Sequence, residues 1–183
     1  HDHSNGIDTS NIREKYVVDN HSITIGQVLF KDYDGDSVRI IIHEMVDMVC
    51  KRLRTGNKQC SVVGLAIGYS KHTGGGFYHV MKLDTPTDVN KMILDCCMLL
   101  FDRYYTGLPI RKVGVSVGRL STKDSLQLNL FENFEDTKKE EVKEKTIDEI
   151  TSRFGKNSIL KASSLLEGST VRDRNKKIGG HSA

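Results

Sequence analysis

The chain has 183 residues, 37% of them hydrophobic and 28% charged, with a formal net charge of +3. That is enough for one domain plus an appendage or two small domains, and its apolar runs are far too short to span a bilayer. So small a charge excess excludes any argument for nucleic-acid binding from electrostatics alone.

Residues 1–20 are polar and without a period, as a linker would be, and His1 in place of an initiator Met suggests a piece of a longer protein. HSITIGQVLF, residues 21–30, sets Ile23, Ile25 and Leu29 against Ser22, Thr24 and Gly26, the alternation of a strand with one buried face. DYDGD supplies turn residues, with Asp36 as the expected N-cap of a helix running from Ser37 to Arg54. Its stripe is Val38, Ile41, Ile42, Met45, Val49 and Leu53. Arg52 and Arg54 load its last turn, and Gly56 ends it. CSVVGLAIGYS, 60–70, alternates again, Val63, Leu65, Ile67 and Tyr69 against Gly64, Ala66, Gly68 and Ser70. KHTGGG is a loop, and GFYHVMKL, 76–83, is a strand whose facing the pattern leaves open. Thr87 is the expected cap of a second helix with Val89, Met92, Ile93, Cys96, Leu100 and Tyr104 inward, stopped by Gly107 and Pro109. IRKVGVSVGRL, 110–120, places Val113, Val115 and Val117 on one face and Lys112, Gly114, Ser116 and Gly118 on the other. Then come a polar loop, the stretch SLQLNLFENF, and a charged helix over 137–154 with Ile147, Ile150 and Phe154 as a thin apolar edge, capped by Gly155. NSILKASSLLEG suits one more short helix, and VRDRNKKIGGHSA a basic tail expected to stay loose.

The order β-α-β-β-α-β predicts an α+β fold, a split βαβ arrangement with a four-stranded antiparallel sheet, both helices on one face, and a helical C-terminal tail. The other face is open. It carries small and polar residues on three strands where a plain solvated face would carry long Lys and Glu side chains. A shaved face lets a partner approach the backbone, so hydroxyls, N–H groups and a few cations can reach phosphates without reading bases. Ser22, Thr24, Gly26, Lys112, Ser116 and Arg119 are the expected contacts, with Lys71 and His72 in the glycine-rich loop behind them. An ordinary solvated lysine is the plainer reading of Lys71, and Arg111 shares the side of the valines and suits a carboxylate partner.

Cys50, Cys60, Cys96 and Cys97 form no Cys-x-x-Cys pair and no zinc spacing; Cys96, on an apolar helix face, reads as reduced core packing, and a cytosolic compartment is expected. Asp32, Asp34 and Asp36 lie in a turn before a helix, where capping and solvation explain them better than a bound cation. Leu128, Leu130 and Phe131 are surplus to a sheet that can end at Leu120. Two readings stand. The three residues pack back on the domain, or, with the Gln127 amide as polar anchor, they plug another protein's groove.

QLNLF resembles the Gln-Leu-x-Leu-Phe peptide by which bacterial proteins bind the β sliding clamp. HSITIGQVLFKDY, the helix ending KRLR and LFDRYYTGLPIRKVGVSVGRL together resemble the little-finger domain of Y-family DNA polymerases. IDEITSRFGKNSILKASSLL and KKIGGH are similar to the UmuC-like, ImpB/MucB/SamB branch. The resemblance runs from about residue 20 to the end. It implies residues 1–20 as the linker from a missing thumb, 21–121 as the little finger, 122–134 as a clamp-binding peptide through Gln127, Leu128, Leu130 and Phe131, and 135–183 as a charged tail. It implies a non-catalytic piece of a translesion DNA polymerase that grips template-primer duplex and docks on the clamp during DNA repair, in the cytoplasm near the nucleoid. No cofactor is expected in this piece. The paired Mg²⁺ ions of such polymerases belong to a palm domain whose carboxylate motifs do not occur here.

Two other readings compete. An RNA-recognition-like module for single-stranded nucleic acid shares the element order but needs exposed aromatics on its strands. A stand-alone clamp-binding adaptor would carry the same peptide. Self-association through edge strands or tail is a further expectation.

Overall fold

The computed structural model describes residues 22–123, 134–178 and 181–182. The elements are β1 (Ser22–Tyr33), α1 (Gly35–Thr55), β2 (Lys58–Tyr69), β3 (Gly76–Thr87), α2 (Asn90–Tyr104), β4 (Ile110–Gly118), β5 (Ser121–Thr122), α3 (Phe134–Phe154), a 3-10 turn (Ala162–Leu165), α4 (Val171–Asn175), β6 (Lys177–Ile178) and β7 (His181–Ser182).

The sheet runs β1-β4-β2-β3, each neighbour antiparallel, with the two-residue β5 added to the start of β2. Each βαβ unit is split. β4 lies between β1 and β2, and β2 lies between β4 and β3. The α+β fold and the β-α-β-β-α-β order expected from the sequence are what the chain adopts.

Inward rows read across the sheet as Ile23–Val117–Val63–Met81, Ile25–Val115–Leu65–His79 and Gln27–Val113–Ile67–Phe77. Against them pack Val38, Ile41, Ile42, Met45, Val49 and Leu53 of α1 and Ile93, Cys97, Leu100 and Phe101 of α2, all buried. Each such side chain contributes about 1.5–3 kcal/mol by leaving water, so this layer fixes which side of the sheet stays open.

Local chemistry shifts two helix starts. The N-cap of α1 is Asp34, not Asp36: its Oδ1 accepts from Ser37 N at 2.7 Å, which holds the carboxyl below the usual range. Gly35 makes this early start possible, because a Cβ there would lie 2.7 Å from the Tyr105 ring. Asp36 falls in the first turn. Thr87 does not cap α2 directly, since the N-cap position is Val89, but its Oγ1 accepts from Val89 N at 3.1 Å.

The tail is docked rather than loose, and it docks through polar groups. Arg54 Nε donates to Asp148 at 2.6 Å, Lys51 to Thr151 Oγ1 at 2.6 Å, and Lys161 to Asp47 at 2.7 Å. Glu44 of α1 is buried and accepts from Ser169 Oγ at 2.6 Å, Thr170 Oγ1 at 2.9 Å and Thr170 N at 3.1 Å. Arg174 lies 3.5 Å from the same carboxylate and donates to Gln27 Oε1 of β1 at 3.0 Å. The expected apolar edge of α3 is only half used. Ile147 and Ile150 are half-buried, Phe154 is exposed, and Glu144 is buried in their stead.

Candidate nucleic-acid interface

The open face is built in four rows, read from β1 through β4 and β2 to β3: Ser22–Gly118–Val62–Lys82, Thr24–Ser116–Gly64–Val80, Gly26–Gly114–Ala66–Tyr78 and Val28–Lys112–Gly68–Gly76. Strand alternation forces this set outward once the valines and isoleucines turn to the helices. Of the expected residues, Ser22, Thr24, Gly26, Lys112 and Ser116 do share the face. Ser22, Thr24, Gly26 and Lys112 are exposed and Ser116 is half-buried. Ser70 does not belong to it. It follows the end of β2, is buried, and its N–H donates to Pro109 O at 2.7 Å.

Cations stand at both ends. Lys112 lies across Gly68, where a Cβ would meet its side chain at 3.0 Å. Lys71 and His72 are exposed in the β2–β3 turn at that same end, which Gly74 and Gly75 close at φ +66° and +79°. Arg119 follows β4 at the opposite end, exposed and at φ +50°, beside the row that carries Lys82. From residue 112 to 118 the strand rises roughly 20 Å, about the axial rise of six base pairs. Arg111, by contrast, faces Asp32 at 3.6 Å. With Asp34 capping α1 as well, the acidic turn is accounted for by the protein itself. Among the described residues no group of three or more His, Cys, Asp or Glu side chains could hold a metal ion, and no helix is long and apolar enough to cross a membrane.

The alternation of β3 left its facing open because both of its sets are bulky, and the structure resolves it. Phe77, His79, Met81 and Leu83 turn to the helix side, with His79 stacked on Tyr104 at a centroid distance of 3.6 Å. Tyr78, Val80 and Lys82 therefore face out. They were absent from the expected site, as were Val28 and Phe30 at the far end of β1, which are 61% and 64% exposed. The face is thus a shaved centre beside a more apolar strip, and not uniformly small. Tyr78 reaches across the centre, its hydroxyl 3.2 Å from Ser116 Oγ.

Gln127, Leu128, Leu130 and Phe131 lie outside the described residues. The groups on either side of that segment are held together. Lys123 Nζ donates to Asp88 at 3.1 Å and to Glu141 of α3 at 3.2 Å. Burial works against the Lys123 charge, yet the two carboxylates hold its pKa above the usual lysine value.

Residues 20–130 match the family model described as the impB/mucB/samB family C-terminal domain. The chain is 34% identical over 98% of its length to "Putative UV-damage repair protein UvrX" of Bacillus subtilis, and 30% identical over 97% to "DNA polymerase IV 2" of Halalkalibacterium halodurans. It spans 43% of the length of each. Among solved structures, "Complex of beta-clamp processivity factor and little finger domain of PolIV" is similar at a TM-score of 0.47 and 16% identity, over 61% of this chain and 100% of that one.

Proposed function

The chain belongs to the impB/mucB/samB C-terminal domain family, and we propose that it is the non-catalytic little finger of a Y-family translesion DNA polymerase, gripping template-primer duplex with its open sheet face. The observation that carries this reading is the shaved centre of that face, with Lys112 at one end and Arg119 at the other. Glycines and short hydroxyl residues admit a phosphate backbone to the strand, and flanking cations hold it without reading sequence. The named relatives are a repair protein and a DNA polymerase of which this chain spans 43%, which supports a polymerase as the parent. The chemical step, with its paired Mg²⁺, would belong to that parent. QLNLF, residues 127–131, would tether the parent to the β sliding clamp through Gln127, Leu128, Leu130 and Phe131. Tethering raises the local concentration of DNA, so a weak grip suffices.

Two titrations test the reading. In the first, this chain is titrated into labelled template-primer duplex, alone and as Lys112→Ala/Arg119→Ala. Binding that the double variant weakens severalfold supports the grip, and binding indifferent to both residues removes it. In the second, the chain is titrated into purified β clamp, alone and as Gln127→Ala/Leu130→Ala/Phe131→Ala. Micromolar binding lost in the triple variant supports the tether. No binding by the intact chain returns Leu128, Leu130 and Phe131 to packing on their own domain.

A further inference from the structure

We propose that Tyr78 is a stacking platform for one unpaired nucleotide of the DNA held on the open face, an inference that rests on reading this face as a DNA surface. Tyr78 belongs to β3, an edge strand, while the oxygen it meets belongs to Ser116 on β4, with β2 between them. Its ring therefore crosses β2, and it does so over Gly64. A Cβ at position 64 would lie 2.9 Å from the Tyr78 hydroxyl oxygen, 3.1 Å from ring atom Cε2 and 2.5 Å from Ser116 Oγ. Only a residue without a side chain leaves that space. The ring is thus laid along the sheet, pinned at its hydroxyl, while Tyr78 as a whole stays 60% exposed.

A ring held this way offers one free π-face, and its ordering cost is met before any ligand arrives. Base-paired nucleotides present edges to a protein and keep their faces inside the stack. A free aromatic face is matched only by a base that has left the duplex. The surroundings suit a nucleotide as a whole. Val80, 54% exposed, pairs with Gly64 under the ring, and Lys112 lies two rows from that pair. Two rows are four residues of strand, roughly 13 Å, a distance that a nucleotide's base-to-phosphate length and the reach of a lysine side chain span together. The grip on duplex and the platform then divide the face between them: cations take backbone, and Tyr78 takes a single base where the template is unpaired.

The test compares a single-stranded oligothymidylate with a blunt hairpin duplex closed by a polyethylene glycol linker in place of loop nucleotides, each labelled for fluorescence anisotropy. The chain is used as wild type and as Tyr78→Ala, Tyr78→Phe, Gly64→Ala and Lys112→Ala, each checked by thermal melting for a folded core. Tyr78→Ala is expected to weaken the single strand roughly 5- to 150-fold, the loss that follows removal of one stacking ring, with less than about a twofold change on the hairpin. Tyr78→Phe keeps the face and stays near wild type on the single strand. Gly64→Ala weakens the single strand although the tyrosine is intact, because the new methyl group lifts the ring. Equal losses on both DNAs with Tyr78→Ala, or no loss on the single strand, overturn the platform. Lys112→Ala separates the two ideas. If it weakens hairpin binding while Tyr78 leaves single-strand binding unchanged, the grip stands and the platform falls. If the wild type binds neither DNA, both fall.

Discussion

At the scale of single residues, the folded environment decides which side chains can react or titrate. All four cysteines are buried and free. Burial pushes the Cys60 and Cys97 thiols up to about 12, and raises Cys50 and Cys96 as well. The thiolate is the reactive form, so iodoacetamide at pH 8 should label the folded chain only as fast as the core opens, and denaturant should release all four thiols at once. Rapid labelling of any cysteine without denaturant would contradict this. His43 behaves in the opposite sense. Burial lowers its pKa, Lys161 adds to the effect and Asp47 opposes it. The unfolded histidine, with a pKa of roughly 6.5, then binds a proton more readily than the folded one. Its contribution to stability is fully present above that value and is lost as pH falls through the lower folded value. Urea midpoints should decline below about pH 6.5, and His43→Gln should flatten that decline. The same slope in the variant would assign it to other groups.

At the scale of elements, the tail and the core are held by different forces. No described tail residue belongs to the hydrophobic core. α3, the 3-10 turn and α4 are fastened by Glu44, Asp47, Lys51 and Arg54 of α1. Glu44→Ala leaves Ser169 Oγ and Thr170 N without their acceptor and Arg174 without its carboxylate, at about 1–3 kcal/mol for unmet buried donors. The segment can lift into water instead of straining the core, so that cost is felt locally. Limited trypsin digestion at Arg172 and Arg174 should accelerate in the variant, while the main unfolding midpoint moves by less than about 1 kcal/mol. A collapse of the main transition would show that the tail is part of the core after all. The same contrast explains what was legible in the sequence. Strands and helices whose stripes bury apolar groups, such as Ile23–Ile25–Leu29 and Val113–Val115–Val117, were readable from their periods, and with them the candidates Ser22, Thr24, Gly26, Lys112 and Ser116 on the opposite side. β3 was not, because FYHVMK puts a bulky residue at every step and either face could be buried. Nor was the tail's docking, since Glu44 shares α1 with its partners' targets but lies more than a hundred residues from Ser169 and Thr170, and no local pattern announces a hydrogen bond of that range.

At the scale of the whole molecule, the placement of charge matters more than its sum. The net charge is +3, yet many of the basic groups are already engaged. Arg54, Lys161 and Arg174 hold the tail, Lys123 bridges Asp88 and Glu141, Arg39 pairs with Asp102 and Arg111 with Asp32. Among the described residues the cations left at the open face are few, chiefly Lys112, Lys82, Arg119 and Lys71. Each phosphate they neutralise on duplex DNA adds about −0.9 to the slope of log K against log salt. The slope for this chain should therefore be about −3 to −4, far shallower than a stripe of many basic residues would give. Lys112→Ala/Arg119→Ala should reduce its magnitude by roughly 2 while leaving the preference among sequences unchanged. A slope near zero would mean that phosphates are not what the face holds. A much steeper one would mean that the tail's ion pairs open and release their cations to the DNA, in which case Glu44→Ala would steepen the wild-type slope rather than leave it alone. A grip of so few charges is weak at physiological salt, which is the condition under which the proposed tether would change the outcome most.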